Sequence, residues 1–492
     1  MPSLDHAPPA TSGFAVSARC SPRGRPSGPG CALPERPSLA SLPGLLLVLA
    51  LFAWCSVAMA QTTERMLDNG MKVLVIEDHR APTVAHMVWY RAGSFDETNG
   101  RTGVAHVLEH LMFKATRTLA PGEFSRRVAA MGGRENAFTA RDYTGYFQQV
   151  HRDRLAEVMA LEADRMRNLV LDEQEFAREI RVVMEERRWR TDDRATALVY
   201  EQLMASAFQA SPVRTPIVGW MSDLQAMTVD DARAWYEAWY APNNALLVVA
   251  GDVEPEAVFA LARETYGAIP ARALPARKPQ EEPAQRGVRR LWVKAPAENP
   301  YLLMGFRGPT LRDVDQDSDP YALEMLAAVL DLDENGRLTR ALVRDTRVAN
   351  DAGASYDMIA RGPVLFLLSG TPAQGRSTEE LERALLAQVR RIADEGVTDA
   401  ELQRVKTQYV AGRVYQRDSV FGQAMEAAGL ESVGFSHRDA DRVLERIRAV
   451  TPQQVREVAQ RWFDEDALTV VTLLPQPIEA GAGASPPAGL RH

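Results

Sequence analysis

A repeated helix-and-strand segment sets the architecture: Met227-Thr-Val-Asp-Asp-Ala-Arg-Ala-Trp-Tyr-Glu-Ala-Trp-Tyr240 leads into Ala245-Leu-Leu-Val-Val-Ala250. A similar segment, Val450-Thr-Pro-Gln-Gln-Val-Arg-Glu-Val-Ala-Gln-Arg-Trp-Phe463, leads into Ala467-Leu-Thr-Val-Val-Thr472, and Thr228 of the first copy matches Thr451 of the second. In each copy this threonine is followed three positions later by aspartate or glutamine, which is the pattern of a capped helix start. A period this long predicts two homologous domains rather than a solenoid of short repeats.

The two copies of the repeat divide the chain into two halves. Each half mixes helices with strands such as Lys72-Val-Leu-Val-Ile76, which predicts the α+β class. A stretch rich in proline and charge, 271–287, is predicted as a linker between domains at 61–270 and 288–475. We expect a disordered tail at 476–492.

The N-terminal segment 1–60 is predicted to direct export. A long leader rich in proline and arginine precedes Leu45-Leu-Leu-Val-Leu-Ala-Leu-Phe-Ala53, which is too short for a comfortable membrane span of about 20 residues. Ala58-Met-Ala60 then has the form of a signal-peptide cleavage site, which predicts an exported, periplasmic protein. The alternatives are an uncleaved membrane anchor, a lipid-modified Cys55 and a translation start further downstream; the bulky Trp54 disfavours the lipid-modified cysteine.

Composition excludes several classes of protein. The chain has 492 residues, 46% of them hydrophobic, and a net charge of −8, which is typical of a folded protein and not of a collagen, a disordered chain or a polytopic membrane protein. No basic stripe is present, so nucleic acid is not an expected partner. All three cysteines lie within 1–60, so the mature chain must hold together without disulfides.

The motif that carries chemistry is His106-Val-Leu-Glu-His110, inside the helix-compatible stretch 104–113. On a helix His106 and His110 lie one turn apart on one face, and Glu109 projects to the same side. Two neutral imidazoles placed in this way can bind Zn²⁺, and H-x-x-E-H is the inverted form of the thermolysin-type zinc helix. The alternative is a pair of helix histidines beside a surface glutamate.

With this motif the chain resembles the pitrilysin/insulinase family of inverzincin metallopeptidases, in particular the bacterial relatives of the mitochondrial processing peptidase β subunit. The resemblance covers most of the stretch 64–475. Other matching segments are Arg91-Ala-Gly-Ser-Phe-Asp-Glu97, Gly132-Gly-Arg-Glu-Asn-Ala-Phe-Thr139 and Trp239-Tyr-Ala-Pro-Asn-Asn-Ala245. The resemblance to this family implies two domains that face each other around a cavity. Each domain would be a mostly antiparallel sheet packed against helices.

The resemblance also implies the remaining site residues. Helix geometry alone does not choose a third ligand, although Glu185 is turned about 100° from Glu186 and cannot share its role. The family's distal ligand corresponds to Glu186, and its supporting glutamate, two helical turns earlier, corresponds to Glu179. One zinc ion per chain would then be held by His106, His110 and Glu186, with Glu109 as general base. The alternative for Glu179 is an exposed helix glutamate.

A substrate-binding strand is the next implication. In the family a strand beside the zinc pairs with an extended peptide, and here it corresponds to Asn136, Ala137, Phe138 and Thr139, in a stretch that alternates weakly as far as position 147. Such main-chain pairing tolerates many sequences, so it reveals no cleavage preference. The alternative is an ordinary edge strand protected by Arg141 and Asp142.

The second domain lacks the zinc motif. When the motif is shifted by the offset that separates Thr228 from Thr451, it lands on 329–333, where there is no histidine. This domain is therefore predicted to shape a cavity rather than to catalyse. Active family members need an arginine and a tyrosine from a C-terminal half. Here Arg344 is present, Asn350 stands where the tyrosine would be, and Tyr356 lies too far along the chain.

We therefore expect a zinc endopeptidase that hydrolyses peptides or unfolded segments. The chain is predicted to be the zinc-bearing subunit of a heterodimer whose homologous partner supplies the arginine and tyrosine; a homodimer is the alternative. No stable membrane span is expected once the signal is removed. Two other classes remain open, namely a non-catalytic scaffold and a peptide-binding subunit that does not cleave.

Overall fold

The computed structural model describes residues 62–478. The predicted signal peptide with its leader, the three cysteines and the tail beyond position 478 lie outside the described residues. Within 62–478, no helix combines the length and the apolar character needed to cross a membrane.

The first half is built on a six-stranded sheet with the strand order β1-β2-β8-β3-β6-β5. Neighbouring strands are antiparallel except for β2 and β8, which are parallel. The sheet strands are β1 (Thr62–Met66), β2 (Lys72–Glu77), β3 (Thr83–Tyr90), β5 (Arg134–Thr139), β6 (Thr144–His151) and β8 (Ala245–Gly251). A separate two-stranded ribbon joins β4 (Ala115–Thr116) and β7 (Leu169–Val170).

Eight helices belong to the described first half, and most of them pack on one face of this sheet around a core of aliphatic and aromatic side chains. They are α1 (Val104–Leu111), α2 (Glu123–Ala130), α3 (Leu155–Asn168), α4 (Glu173–Arg187), α5 (Ala195–Ala207), α6 (Met221–Ala226), α7 (Val229–Trp239) and α8 (Pro255–Thr265). The predicted helix over 173–190 ends at Arg187, and the chain continues as a π-helical turn, Arg188–Asp192.

The second half repeats the plan with five strands in the order β11-β12-β10-β13-β9. Its one parallel pair, β9 with β13, corresponds to β2 with β8. The strands are β9 (Arg289–Pro296), β10 (Tyr301–Gly308), β11 (Ala349–Ser355), β12 (Val364–Pro372) and β13 (Leu468–Gln476). The helices are α9 (Asp319–Asp331), α10 (Thr378–Glu395), α11 (Asp399–Gln416), α12 (Val420–Ser432), α13 (Asp439–Ala449) and α14 (Pro452–Arg461).

The α+β class and the mostly antiparallel sheets are thus confirmed. Both copies of the repeat are a helix followed by a strand, α7 with β8 and α14 with β13, and both helices begin with a capping box at Thr228 and Thr451. The single strand suggested by the alternation over 136–147 was wrong, because a turn at 140–143 divides it into the hairpin of β5 and β6. Gln476, the first residue of the expected tail, still pairs in β13.

One helix from each half packs against the sheet of the other half. From the first half, α5 places Val199 and Leu203 in one buried cluster with Leu303 and Val471 of the second sheet. From the second half, α12 covers the open face of the first sheet with a run of alanines, Ala424, Ala427 and Ala428. If helices covered only one face of each sheet, the other, apolar face would be exposed to water. Each half therefore depends on the other to complete its core. The domain boundaries and the cavity stay predictions.

The 271–287 segment contains no helix or strand, and yet it is anchored to the body of the protein. The carboxylate of Glu282 accepts hydrogen bonds from the backbone N–H groups of Gln209, Ala210 and Ser211 at 2.7–2.9 Å. Arg307 donates to the same carboxylate at 2.9 Å. The linker therefore ties the chain after α5 to the second sheet, to which Arg307 belongs.

We expect Glu282→Ala to lower the free energy of unfolding by about 1–3 kcal/mol, because hydrogen bonds to a charged group are lost and three N–H groups are left without their acceptor. Urea unfolding followed by circular dichroism measures this change. The matched control is Glu281→Ala, since Glu281 is the exposed neighbour in the same segment. Equal stabilities of the two variants would show that the anchor contributes nothing.

Candidate active site

The start of α1, which carries both histidines, is held by the segment that precedes it. Gly103 occupies the cap position at φ +86°, and a Cβ there would lie 2.5 Å from the carbonyl oxygen of Val218, so only glycine suits the position. The carboxylate of Glu97 accepts from the N–H groups of Gly103 and Ala105 at 2.8 and 2.9 Å. Glu97 therefore satisfies donors that a helix start leaves without partners.

The same segment holds the end of strand β5. The N–H of Ser94 donates to the carbonyl of Ala140 at 3.1 Å, and the N–H of Phe95 donates to that of Arg141 at 2.9 Å. Gly93 lies so close to this turn that a Cβ would sit 2.3 Å from the oxygen of Ala140. One short stretch of chain, 93–97, thus positions the histidine helix and the edge strand relative to each other.

Three buried side chains converge beside α1. His106 and His110 share one face of the helix, and α4 brings Glu186 to them. Oε2 of Glu186 lies 3.2 Å from Nε2 of His110 and 3.8 Å from Nε2 of His106. The donor atoms of the three residues all fall within 4.8 Å of one another. Two imidazoles and one carboxylate are a recognised ligand set for catalytic zinc, so these residues fit that ion.

The charges at this point favour a cation. Burial opposes ionisation of Glu186, but the histidines outweigh it and bring the pKa of that carboxyl down to about 2. Burial also lowers the pKa of His110, and hydrogen bonds to Glu179 and Glu186 reverse the effect and raise that pKa to about 9. Glu186 is therefore ionised at any physiological pH, as a carboxylate ligand must be.

Glu109 lies on the same helix, next to the converging group and outside it. Its Oε2 accepts a hydrogen bond of 2.5 Å from the hydroxyl of Thr139, the last residue of β5. Burial raises the pKa of Glu109, which makes it a stronger base than an exposed glutamate. The carboxylate is thus held between the histidine helix and the edge strand.

Glu179 lies behind His110. Its Oε2 is 3.5 Å from Nδ1 of His110, and its Oε1 is 2.7 Å from Nζ of Lys114. Only 7% of the residue is exposed, so the alternative of an exposed helix glutamate was wrong. Burial opposes ionisation here too, but the contacts with His110 and Lys114 lower the pKa of Glu179. A carboxylate in this place can orient the imidazole.

The four residues of the predicted substrate strand lie on β5, at the edge of the first sheet. The side chain of Asn136 accepts from the N–H of Ala137 at 2.8 Å, and the ring of Phe138 packs edge-on against Trp89 at 5.0 Å between ring centroids. Thr139 contacts Glu109, as described above. The strand therefore adjoins the histidine helix through Thr139.

Three residues were compared with the family's arginine and tyrosine, and each contacts other residues of the second half. Arg344 pairs with Glu334 at 3.3 Å, Asn350 donates to the carbonyl of Pro372 at 3.4 Å, and the Tyr356 hydroxyl donates to the carbonyl of Pro309. The stretch 329–333 spans the end of α9, and it carries no histidine.

Sequence reasoning missed three contacts of this site. Arg190 lies four positions after the predicted ligand Glu186, so helical spacing could have indicated their ion pair. Lys114, which follows α1, contacts Glu179 of α4, so helical spacing does not indicate that contact. The hydrogen bond from Thr139 to Glu109 joins residues 30 positions apart, and no local pattern signals it.

Comparison with known proteins agrees with this geometry. The model of the family described as Insulinase (Peptidase family M16) matches residues 72–219, and the model described as Peptidase M16 inactive domain matches residues 226–409. A zinc protease of Helicobacter pylori, PqqE, is 30% identical over 417 residues, which cover 83% of this chain and 92% of that protein. YmxG of Bacillus subtilis, described as an uncharacterized zinc protease, is 26% identical and covers 82% of this chain and 97% of that protein.

Solved structures show the same fold. The crystal structure of a protease from Helicobacter pylori superposes with a TM-score of 0.80 at 28% identity, over 85% of this chain and all of that one. The first half of the periplasmic protease PqqL from Escherichia coli gives a TM-score of 0.72 at 19% identity, over 85% of this chain and 94% of that half. In the structure of PqqL itself, the match spans 48% of the chain.

Proposed function

Since the chain belongs to the insulinase family of peptidases, family M16, we propose that it is a zinc-dependent endopeptidase that hydrolyses peptides or unfolded segments. One observation carries the proposal: His106, His110 and Glu186 converge on one point, and Glu109 is held beside them. A scaffold that has lost its chemistry has no need to bury three ionisable groups around one focus, because burial of charge costs free energy.

The proposed roles follow from the contacts. His106, His110 and Glu186 would hold one zinc ion, and that ion would supply a Lewis acid for the substrate carbonyl and for the attacking water. Glu109 accepts the proton of the attacking water and returns it to the leaving amine, as a general base and then a general acid. Thr139 holds one oxygen of Glu109, so the other oxygen is available for the water.

Substrate is proposed to add to the free edge of β5 as an extended strand. Asn136, Ala137, Phe138 and Thr139 supply the main-chain groups. The side chain of Asn136 now accepts from the N–H of Ala137, and it has to release that N–H wherever a peptide carbonyl takes its place. Recognition through the main chain suits unfolded segments of varied sequence.

Glu179 is proposed to orient His110. We expect Glu179→Gln to weaken zinc binding or kcat/KM by about 10–100-fold, because a neutral amide loses the ion pair with Lys114 and accepts the imidazole proton less strongly. Competition with a chromophoric chelator measures zinc affinity. The control is Glu185→Gln, on the exposed side of the same helix. If both variants match the unaltered chain, Glu179 has no positioning role.

The proposed assembly is a heterodimer in which this chain bears the zinc and a homologous subunit supplies an arginine and a tyrosine. Arg344 and Asn350 support this, because the second half has no tyrosine beside its arginine where the family has one. The match to only 48% of PqqL supports it too, since in that protein a second portion of similar length accompanies the matched half. A homodimer is the alternative.

The location proposed for the protein is the periplasm, by way of the signal peptide over 1–60, with a membrane-anchored form if the signal is retained. The relative PqqL is described as a periplasmic protease.

The test combines zinc stoichiometry with cleavage of a quenched fluorescent peptide, on the mature chain alone and mixed with a homologous candidate subunit. We expect one zinc per chain and cleavage that the subunit raises. Zinc and peptide binding with no cleavage in either mixture would instead assign a peptide-binding subunit. Absence of zinc and of cleavage would assign a scaffold.

A further inference from the structure

We propose that Arg190 is a positioning residue that makes Glu186 a one-oxygen ligand. The inference rests on the proposed zinc site and adds to it a residue that touches neither the metal nor the substrate. Arg190 would keep one oxygen of the carboxylate turned away from the ion, so that a coordination position stays open for chemistry.

The two oxygens of Glu186 have different partners. Oε2 is the atom that faces both imidazoles, at 3.2 and 3.8 Å from their Nε2 atoms. Oε1 forms a short ion pair with Nη1 of Arg190, with 2.6 Å between the two atoms. Glu186 is only 2% exposed, so water has little access to compete for Oε1. The side chain is thereby fixed with one oxygen toward the histidines and the other toward the guanidinium.

This division of oxygens matters because a carboxylate can bind a metal through one or both atoms. A catalytic zinc site has three protein ligands and a fourth position for water or substrate. A carboxylate that swung round to bind through both oxygens would fill that position. The guanidinium opposes the swing, because Oε1 would have to give up a charged partner in a buried place.

Arg190 lies in a π-helical turn whose first flanking residue is anchored to other elements. Directly after α4 the chain takes a π-helical turn, Arg188–Asp192, a feature that occurs frequently at functional sites. At the start of this turn Arg187 is anchored by Glu201 of α5 at 2.8 and 3.0 Å, and it also donates to the carbonyl of Gly219 at 3.0 Å. Arg188 pairs with Glu185 on the exposed side of the helix. Arg190 is therefore the arginine of this turn that the structure pairs with a ligand candidate.

The test compares Arg190→Gln and Arg190→Lys with the control Arg188→Gln, which removes a charge from the same turn without a contact to Glu186. Two measurements are made on the full mature chain: zinc affinity by chelator competition, and the visible spectrum of the chain loaded with cobalt(II), whose absorption falls as the coordination number rises above four. Thermal unfolding in the presence of a chelator checks that each variant is folded.

We expect Arg190→Gln to weaken zinc binding by about 10–100-fold and to lower the cobalt absorption, as the loss of a group that orients a ligand does. Arg190→Lys keeps a charged donor and should recover part of both, whereas Arg188→Gln should stay within about twofold of the unaltered chain. A purely structural role would lower the unfolding temperature and leave the cobalt spectrum unchanged.

If Arg190→Gln matches the unaltered chain in zinc affinity and in the cobalt spectrum, the inference is wrong and the zinc site still stands. If the unaltered chain binds no zinc, the proposed function itself fails, and the inference fails with it. The two failures are therefore distinguished by the unaltered chain alone.

Discussion

Glu109→Gln should slow peptide hydrolysis by at least about 10²-fold and leave one zinc per chain in place. The amide cannot accept the proton of the attacking water, and loss of a general base lowers kcat by about 10²–10⁴-fold. Zinc should be retained because Glu109 lies outside the group of donors formed by His106, His110 and Glu186. The hydroxyl of Thr139 can still donate to the amide oxygen, so the local structure should persist.

The measurement is cleavage of a quenched fluorescent peptide together with zinc content by atomic spectroscopy. Glu157→Gln is a suitable control, since this glutamate is an exposed residue of helix α3 that pairs with Arg154. Cleavage by the Glu109→Gln variant at the rate of the control would show that another group acts as the base. Loss of zinc from that variant would show that Glu109 helps to hold the metal.

His110→Asn should remove both zinc and activity. A complete zinc site contributes roughly 10–16 kcal/mol, so the loss of one ligand among three should weaken binding by at least about 10²–10³-fold. The change also removes the imidazole that lies between the carboxylates of Glu179 and Glu186, which leaves two buried acids without their shared partner.

Zinc affinity by chelator competition measures this effect, and thermal unfolding with excess chelator separates metal loss from misfolding. The control is His151→Asn, because His151 is exposed and pairs locally with Asp153. Retention of zinc at the affinity of the unaltered chain would remove His110 from the ligand set. Added zinc should not restore cleavage by the His110 variant at concentrations that saturate the control.

Local patterns allowed a good part of the fold to be predicted. The capping boxes at Thr228 and Thr451 depend on residues three positions apart, and both helices begin there. The histidine helix depends on spacings of three and four positions, and α1 forms over Val104–Leu111. Where neighbours in sequence determine the contact, the sequence predicts the element.

Contacts between distant segments could not be predicted from local sequence patterns. The exchange of α5 and α12 between the two sheets depends on which apolar surfaces remain open after each half forms, and no window of sequence contains that information. The turn that divides β5 from β6 was also missed, because the weak alternation runs on through 140–143. A tertiary arrangement overrides a marginal local pattern in both cases.

In the candidate site, too, some residues follow from a local sequence pattern and others do not. His106, Glu109 and His110 follow from one helical motif, whereas Glu186 lies 76 positions after His110 and was chosen only through the resemblance to a family. The structure brings Glu186 to 3.2 Å from His110. To predict the contact of Arg190, both a local pattern and the family resemblance are needed. Arg190 follows Glu186 at helical spacing, but Glu186 itself was identified as a ligand only through the resemblance.

Anomalous X-ray diffraction at the zinc absorption edge, on crystals of the Glu109→Gln variant grown with zinc, can locate the metal directly. We expect one anomalous peak for each chain, bounded by the Nε2 atoms of His106 and His110 and by a single oxygen of Glu186. A fully loaded crystal with its zinc elsewhere, or one with no peak between these three side chains, would contradict this expectation.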